Sequence, residues 1–305
     1  MSASFEVSVI LPVYNGAEYI KRAVISAVQL EEVKEVIVVN DGSTDATQGV
    51  LDALCVSYPK VRTISLESNR GVSAARNIGM EQAACAYLAF LDADDEYLPN
   101  RFAECSKVFE KVPDMGAVFE ACTVSFDNGV LEREFVNEKH TLLHKPDITE
   151  EDRDDYFSFF VTKSKGLALL NGITLNQKYW QESKIFFDEK LRQTQDTDFL
   201  WQLSLKLKMS PGQMNEPVAV RHIHGKNRVL KNKMEARESY QLFIQKWYQK
   251  SLTASYPKKV NRYLLKQYAG HKINAQLPGL LIKMILAANI SKEVVTHPRH
   301  WRLWF

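Results

Sequence analysis

Val7-Ser-Val-Ile-Leu-Pro-Val-Tyr, followed by Asn15-Gly16, is the stretch on which the fold turns. It lacks the alternating polarity of a half-exposed strand, so it reads as a strand buried on both faces and stopped by Pro12 and the Asn-Gly turn. Downstream, residues 17–30 place Ile20, Ala23, Val24, Ala27 and Val28 at i, i+3, i+4, i+7 and i+8, one apolar face of a helix. Residues 35–41 give a second buried strand, and Asp41-Gly-Ser-Thr-Asp a turn into a helix that Ser43 or Thr44 can cap. Residues 61–66, 73–84 and 86–92 continue as strand, helix and strand.

Parallel neighbours need crossovers of a dozen or more residues, so this alternation predicts an α/β fold: an open, mostly parallel sheet flanked by helices. Ligands of such sheets bind beyond the carboxyl ends of the strands. Tyr14 and Asn15, Asn40 and Asp41, and Asp92, Asp94 and Asp95 all stand at strand ends, converging on one rim. Each cluster alone is most simply an ordinary turn. Further on, we expect a helix after Leu98, strands within 117–126, and a solvated helix start or loop at 150–155. A boundary near residue 225 separates residues 1–225 from a basic, mainly helical region, 226–305.

The net charge of +2 hides a division. From Lys226 onward there are 16 Lys and Arg against 3 Asp and Glu, which leaves 23 against 34 before it. A solvated helical face accounts for this simply; an anionic partner such as a membrane surface or lipid-linked phosphate is the functional alternative, and nucleic acid ranks last. Trp247, Tyr248, Trp301, Trp304 and Phe305 accompany the basic residues. They suit peripheral contact with a bilayer interface, or equally a helical bundle packed on the main domain, or a homodimer. The apolar stretch 277–290 is interrupted by Pro278, Gly279 and Lys283 and is too short to cross a membrane. No secretory pattern opens the sequence, so a cytoplasmic location is expected, with peripheral attachment to the inner face of the membrane as its extension. Cys55, Cys85, Cys105 and Cys122 lack metal-ligand spacing and read as buried thiols.

Asp92-Ala-Asp-Asp at a strand end gathers carboxylates whose repulsion a divalent cation relieves; oxygen ligands suit Mg²⁺ or Mn²⁺, which complete their shells with substrate phosphates. The plain alternative is an acidic helix cap. His222 or His224, after a strand-like segment at 217–220, can add an imidazole nitrogen, which favours Mn²⁺. Arg76 can pair with a phosphate or with an acid through its fork. Asp196 opens a helix whose apolar face is Phe199, Leu200, Leu203 and Leu207; it or Thr194 can be the cap, and the functional reading of Asp196 is a general base.

Val7-Ser-Val-Ile-Leu-Pro-Val-Tyr-Asn-Gly, Val39-Asn-Asp-Gly-Ser-Thr-Asp, Asn69-Arg-Gly-Val-Ser-Ala-Ala-Arg-Asn-Ile-Gly and Phe90-Leu-Asp-Ala-Asp-Asp together resemble the family-2 glycosyltransferases. The likeness is close over residues 5–100. It continues loosely, through Asn171-Gly-Ile-Thr, Gln195-Asp-Thr-Asp and His222-Ile-His-Gly, to about 228. The resemblance implies a GT-A fold and inverting transfer from a nucleotide-sugar donor, UDP favoured, to a glycan or polyprenyl-linked acceptor. It places Pro12, Tyr14, Asn15, Asp41, Arg76, Asp92 and Ala93 around the donor, with Asp41 reading the base and Arg76 supporting the diphosphate. Asp94 and His224 become the ligands of Mn²⁺ or Mg²⁺, Asp196 the base, and Asn171, Gly172 and Thr174 the acceptor side. Two positions depart from the pattern: Gln195 stands where the family carries Glu, and Asn40 where many relatives carry Asp. A nucleotidyltransferase lacks its Gly-rich basic loop here, and a dehydrogenase its GxGxxG. A non-catalytic nucleotide-sugar-binding relative is the remaining alternative.

Overall fold

β1 (Val7–Val13) is buried at every residue and is an inner strand of the main sheet. It pairs in parallel with β2 (Val33–Asn40) on one side and β4 (Tyr87–Phe90) on the other, and β2 pairs in parallel with β3 (Val61–Ser65). The computed structural model describes residues 5–126, 143–144, 146–163, 169–225 and 233–273. With β6 (Ala117–Phe119), β9 (Ile173–Asn176) and β10 (Met209–Pro211), the sheet order is β10-β6-β9-β4-β1-β2-β3. The mostly parallel sheet expected from the sequence is present, with one exception. β9 runs antiparallel between β4 and β6. That reversal brings the start of β9 to the rim where its neighbours end.

Helices cover the sheet as the apolar spacing requires. α1 (Ile20–Val28) buries the five residues of its expected face. α2 (Thr47–Ser57) begins without a side-chain cap, which corrects the expected role of Ser43 and Thr44. Ser43 Oγ instead accepts the Asn15 amide, and the Thr44 amide donates to Asn15 Oδ1, so both residues are spent joining two rim loops. α3 (Val72–Glu81) lies so close to β1 that a Cβ on Gly79 would stand 2.5 Å from Ile10 Cγ2. Glycine at that point lets the helix seat Arg76 under the rim.

α4 (Ala103–Lys111) leads to β6. A second sheet, β5-β11-β7-β8, is built from β5 (Glu96–Tyr97), β7 (Cys122–Phe126), β8 (Leu143–His144) and β11 (Ala219–Ile223). β11 is antiparallel to β5, with Val220 opposite Glu96, so its last residues run alongside the turn that precedes β5. Residues Glu150–Asp154 form a 3-10 turn with a Thr149–Asp152 capping box; Asp152 is buried there and accepts from Lys163, while its neighbours face solvent. α5 (Tyr156–Thr162), α6 (Gln177–Ser183) and α7 (Gln195–Lys206) complete this part. Cys85, Cys105 and Cys122 are buried and Cys55 is partly exposed.

The chain forms two compact units, Met1–Ser239 and Tyr240–Phe305. α8 (Lys233–Ser251) crosses from one to the other, and α9 (Lys258–Ile273) belongs to the second. In the second unit Phe243, Ile244, Trp247, Val260 and Leu264 are buried, and the Tyr248 and Tyr268 rings stack at 4.3 Å. Trp247 and Tyr248 are therefore packed within a helix pair, which agrees for these two residues with the helical-bundle alternative rather than the bilayer-interface one. Residues 277–290 and the aromatics at 301, 304 and 305 lie outside the described residues. Among the described residues, no helix is long and apolar enough to cross a membrane.

Candidate functional site

Because β1, β2 and β4 are parallel, their carboxyl ends share one rim. Asn15 follows β1 in a left-handed conformation, φ 51°, and its Oδ1 accepts the amides of Thr44 and Asp45. Tyr14 beside it is 49% exposed, an aromatic face held open above the rim. Pro12 is buried within β1. Asp41, after β2, is also buried, and its carboxylate accepts the backbone amides of Arg70 and Gly71 at 2.7 and 2.8 Å. It thereby fixes the loop that enters α3.

After β4 the chain turns through Asp92, Ala93, Asp94 and Asp95. Arg76 lies beneath, 2% exposed, and donates at 2.6 Å both to Asp92 Oδ1 and to Asp196 Oδ1. Its guanidinium carbon lies 5.2 Å from the centre of the Phe187 ring, which stacks at 3.9 Å on Phe199 of α7. Asp196 is thus gathered to the acid turn from a position 120 residues beyond Arg76. Burial pushes its carboxyl above the ordinary aspartate value and the Asp92 charge adds to this, while Arg76 pulls it down.

Asn171 shows why β9 is reversed. Standing just before that strand, it accepts the Asp92 amide on Oδ1 and donates to Asp95 Oδ2 at 2.6 Å. Asp95 is buried and also receives the His222 amide; burial first, then the charges of Asp94 and Asp92, hold its carboxyl well above the usual range. Gly172 is packed so tightly that a Cβ would meet the Glu120 carbonyl oxygen at 2.4 Å. Thr174 is wholly buried within β9, behind the rim.

The two candidate histidines face different acids: His224 Nε2 stands 3.1 Å from Asp94 Oδ2, and His222 Nε2 stands 3.1 Å from Glu96 Oε1. Burial and Asp92 raise the Asp94 carboxyl while His224 opposes them, so ionised Asp94 is in want of positive charge. A spacing of 3.1 Å matches two adjacent ligands of an octahedral cation with bonds of about 2.1 Å. Among the described residues no group of three His, Cys, Asp or Glu side chains forms a complete metal cage. One carboxylate and one imidazole fit a cation that takes its other ligands from phosphate and water.

Three further residues serve this arrangement. Tyr19 stacks on the His224 ring, centroids 4.4 Å apart, and Arg22 donates to the carbonyl oxygen of Asp94. Ser239 Oγ accepts the Gln193 amide at 2.9 Å, three residues before Asp196. Tyr19 and Arg22 sit at the start of α1, where sequence periodicity marks only the buried face; Ser239 is joined to its partner solely by tertiary packing.

A profile described as Glycosyl transferase family 2 matches residues 8–167. An uncharacterized glycosyltransferase of Rickettsia prowazekii (strain Madrid E) is 33% identical over 205 residues, 64% of this chain and 57% of the relative. The chain spans between 30% and 57% of the length of the first curated relatives it matches. The crystal structure of S. aureus TarS 1-349 in complex with UDP-GlcNAc aligns with a TM-score of 0.62 at 16% identity, over 88% of this chain and 73% of that one. The mannosyltransferase PcManGT from Pyrobaculum calidifontis, in complex with GDP-Man and Mn²⁺, aligns with a TM-score of 0.56 at 16% identity, over 99% and 79%. At that identity the likeness speaks for the fold, the GT-A arrangement of a mostly parallel sheet between helices. The profile match runs from β1 past α5, takes in the acid turn and covers more than half of the sequence, so the chain belongs to glycosyl transferase family 2.

Proposed function

We propose that the chain transfers a sugar from a nucleoside-diphosphate donor, UDP favoured, to an acceptor hydroxyl with inversion at the anomeric carbon. The observation that carries this is the Arg76 fork. Asp92, on the donor side, and Asp196, the base, share one guanidinium, so the groups needed on the two sides of a displacement are neighbours.

Asp196 Oδ1 is occupied by Arg76, and Oδ2 is the oxygen that takes the proton of the acceptor hydroxyl. As that proton leaves, the acceptor oxygen bonds to the anomeric carbon from the face opposite the diphosphate, the bond from that carbon to the phosphate oxygen breaks, and the nucleoside diphosphate departs with its electron pair. The raised carboxyl makes Asp196 a better base than an ordinary aspartate, because proton transfer is most effective when the base's pKa lies near working pH. Tyr14, Pro12 and Asn15 line the nucleotide side, with Asp41 reading the base beside the loop it fixes. Asp92 and Ala93 face the ribose and sugar. Asp94 and His224 are the residues that hold Mn²⁺ or Mg²⁺, which when bound offsets the charge of the departing diphosphate. Asn171 and Gly172 stand on the side of the acceptor, a glycan or polyprenyl-linked sugar, and the buried Thr174 supports them from behind.

The test is a thermal-melt panel of UDP-, GDP- and dTDP-sugars with and without Mn²⁺, followed by assay of nucleoside-diphosphate release. Stabilisation by one nucleotide class that depends on Mn²⁺, with release of that diphosphate, is expected. No stabilisation by any donor overturns the reading.

A further inference from the structure

From Ser239 to Lys292 the sequence contains no Asp or Glu, yet it contains nine Lys and Arg. The described helices of the second unit show how part of this charge is displayed. On α9, Lys258, Arg262 and Lys266 recur every fourth residue and all are exposed. Residues four apart share one face of a helix, and at 1.5 Å per residue the stripe is about 12 Å long. Lys259 and Lys250 are exposed as well, and the connection between α8 and α9 carries Leu252, 61% exposed.

A polyanion that reads bases needs aromatic platforms, and among the described residues of this unit Trp247 is in the core and Tyr248 is stacked on Tyr268. The large hydrophobic side chains exposed among the described residues of this unit, Leu242 and Leu252, are aliphatic. Basic residues gain from the surface potential of an anionic leaflet, and an exposed leucine gains from the headgroup–acyl boundary. Neither group needs a shaped pocket, and none of the described helices is built to span the bilayer.

We propose that the face formed by Lys258, Arg262 and Lys266 of α9, together with the exposed Leu252 in the connection before it, docks on an anionic lipid leaflet and holds the chain peripherally on a membrane. This goes beyond the transfer reaction and does not depend on it. The contact is electrostatic first: its strength follows the anionic lipid fraction and fades as salt shortens the Debye length from about 10 Å at 0.1 M to about 3 Å at 1 M.

The full chain is tested by co-sedimentation with vesicles of phosphatidylcholine alone and of phosphatidylcholine with 30% phosphatidylglycerol, at 0.1 M and 1 M NaCl. We expect binding only to the anionic vesicles and only at low salt. The variant Lys258→Gln/Arg262→Gln/Lys266→Gln is expected to partition on the order of 100-fold more weakly, with its melting temperature and donor-induced stabilisation at wild-type values. Leu252→Ser is expected to weaken binding by a smaller factor. Equal binding to neutral vesicles, absence of binding to either, or wild-type partition by the triple variant overturns the proposal. So does salt-sensitive self-association that the triple variant abolishes in the absence of lipid, which assigns the face to the acidic body of a second copy. Because donor stabilisation is read separately, failure here is distinguishable from failure of the proposed activity.

Discussion

Arg76 joins Asp92 and Asp196 through separate nitrogens of one guanidinium, each at 2.6 Å. This relationship ties the acid turn after β4 to the start of α7, and it makes Arg76 a positioning residue whose loss has two readouts. Arg76→Ala leaves two carboxylates without their shared counter-charge. We expect a loss of about 2–3 kcal/mol in urea unfolding, less than the 3–5 of a fully buried pair because Asp92 and Asp196 keep 36% and 43% of their side-chain surface exposed. Arg76→Lys retains the charge but not the fork, so turnover falls while donor affinity changes little. Collapse of donor affinity with turnover preserved would return Arg76 to direct contact with the diphosphate.

Asp94→Ala removes the carboxylate that stands 3.1 Å from His224 Nε2. Calorimetry with UDP and Mn²⁺ is expected to show binding to the wild type that EDTA abolishes, and no Mn²⁺-dependent binding to the variant. His222→Ala, whose side chain faces Glu96, serves as the contrast and is expected to keep its UDP affinity. Loss of Mn²⁺-dependent UDP binding by His222→Ala would assign His222 the role given to His224.

Without cation, stability is expected to depend on pH in an unusual direction. Asp94, Asp95, Glu120 and Asp196 are all held above their ordinary values, with burial as the first cause. From about pH 4 up to each raised value, the folded chain retains a proton that the unfolded chain has lost, so stability grows as pH falls through that window. The depressed carboxyls Glu35, Asp45 and Asp152 act oppositely, but only as pH falls into and below the ordinary carboxylate range. In EDTA the melting temperature is therefore expected to rise as pH is lowered from 7.5 to 5. A steady fall over that interval would contradict the charge crowding described for the acid turn.

What the sequence disclosed follows from the range of its signals. Buried strands announce themselves by uninterrupted apolar runs, so β1, β2 and β4 and the rim at their ends were legible, as was the buried face of α1. Periodicity carries no partner information across 120 residues, so the convergence of Asp92 and Asp196 on Arg76 was visible only in the fold. The antiparallel insertion of β9 was equally hidden, because four residues of strand look alike in either direction; with it went the role of Asn171 between Asp92 and Asp95. Ser43 and Thr44 suit a helix end by residue type, but the groups that satisfy a helix end can equally satisfy a neighbouring loop, as they do here with Asn15. In the second unit, composition alone could not tell core aromatics from surface ones.

Gly172→Ala tests whether the reversed strand holds the site in place. The added methyl would stand 2.4 Å from the Glu120 carbonyl oxygen and 3.0 Å from Cys122 Sγ, against backbone that cannot yield cheaply. We expect a loss of about 1–3 kcal/mol in chemical unfolding, as for other overpacked sites, and a larger fall in turnover than in donor affinity as Asn171 is displaced. Wild-type stability would show that the β9 entry is looser than its contacts indicate.

The central claim, inversion with Asp196 as base, is met most directly by time-resolved ¹H NMR of the anomeric signal during slow donor hydrolysis, using the nucleotide sugar that stabilises the protein in the melt panel. An α-linked donor should release the β-sugar first, and Asp196→Asn should slow this release by ~10²- to 10⁴-fold at near-unchanged donor affinity. Initial release of the α-sugar, or release by Asp196→Asn at the wild-type rate, would contradict the account.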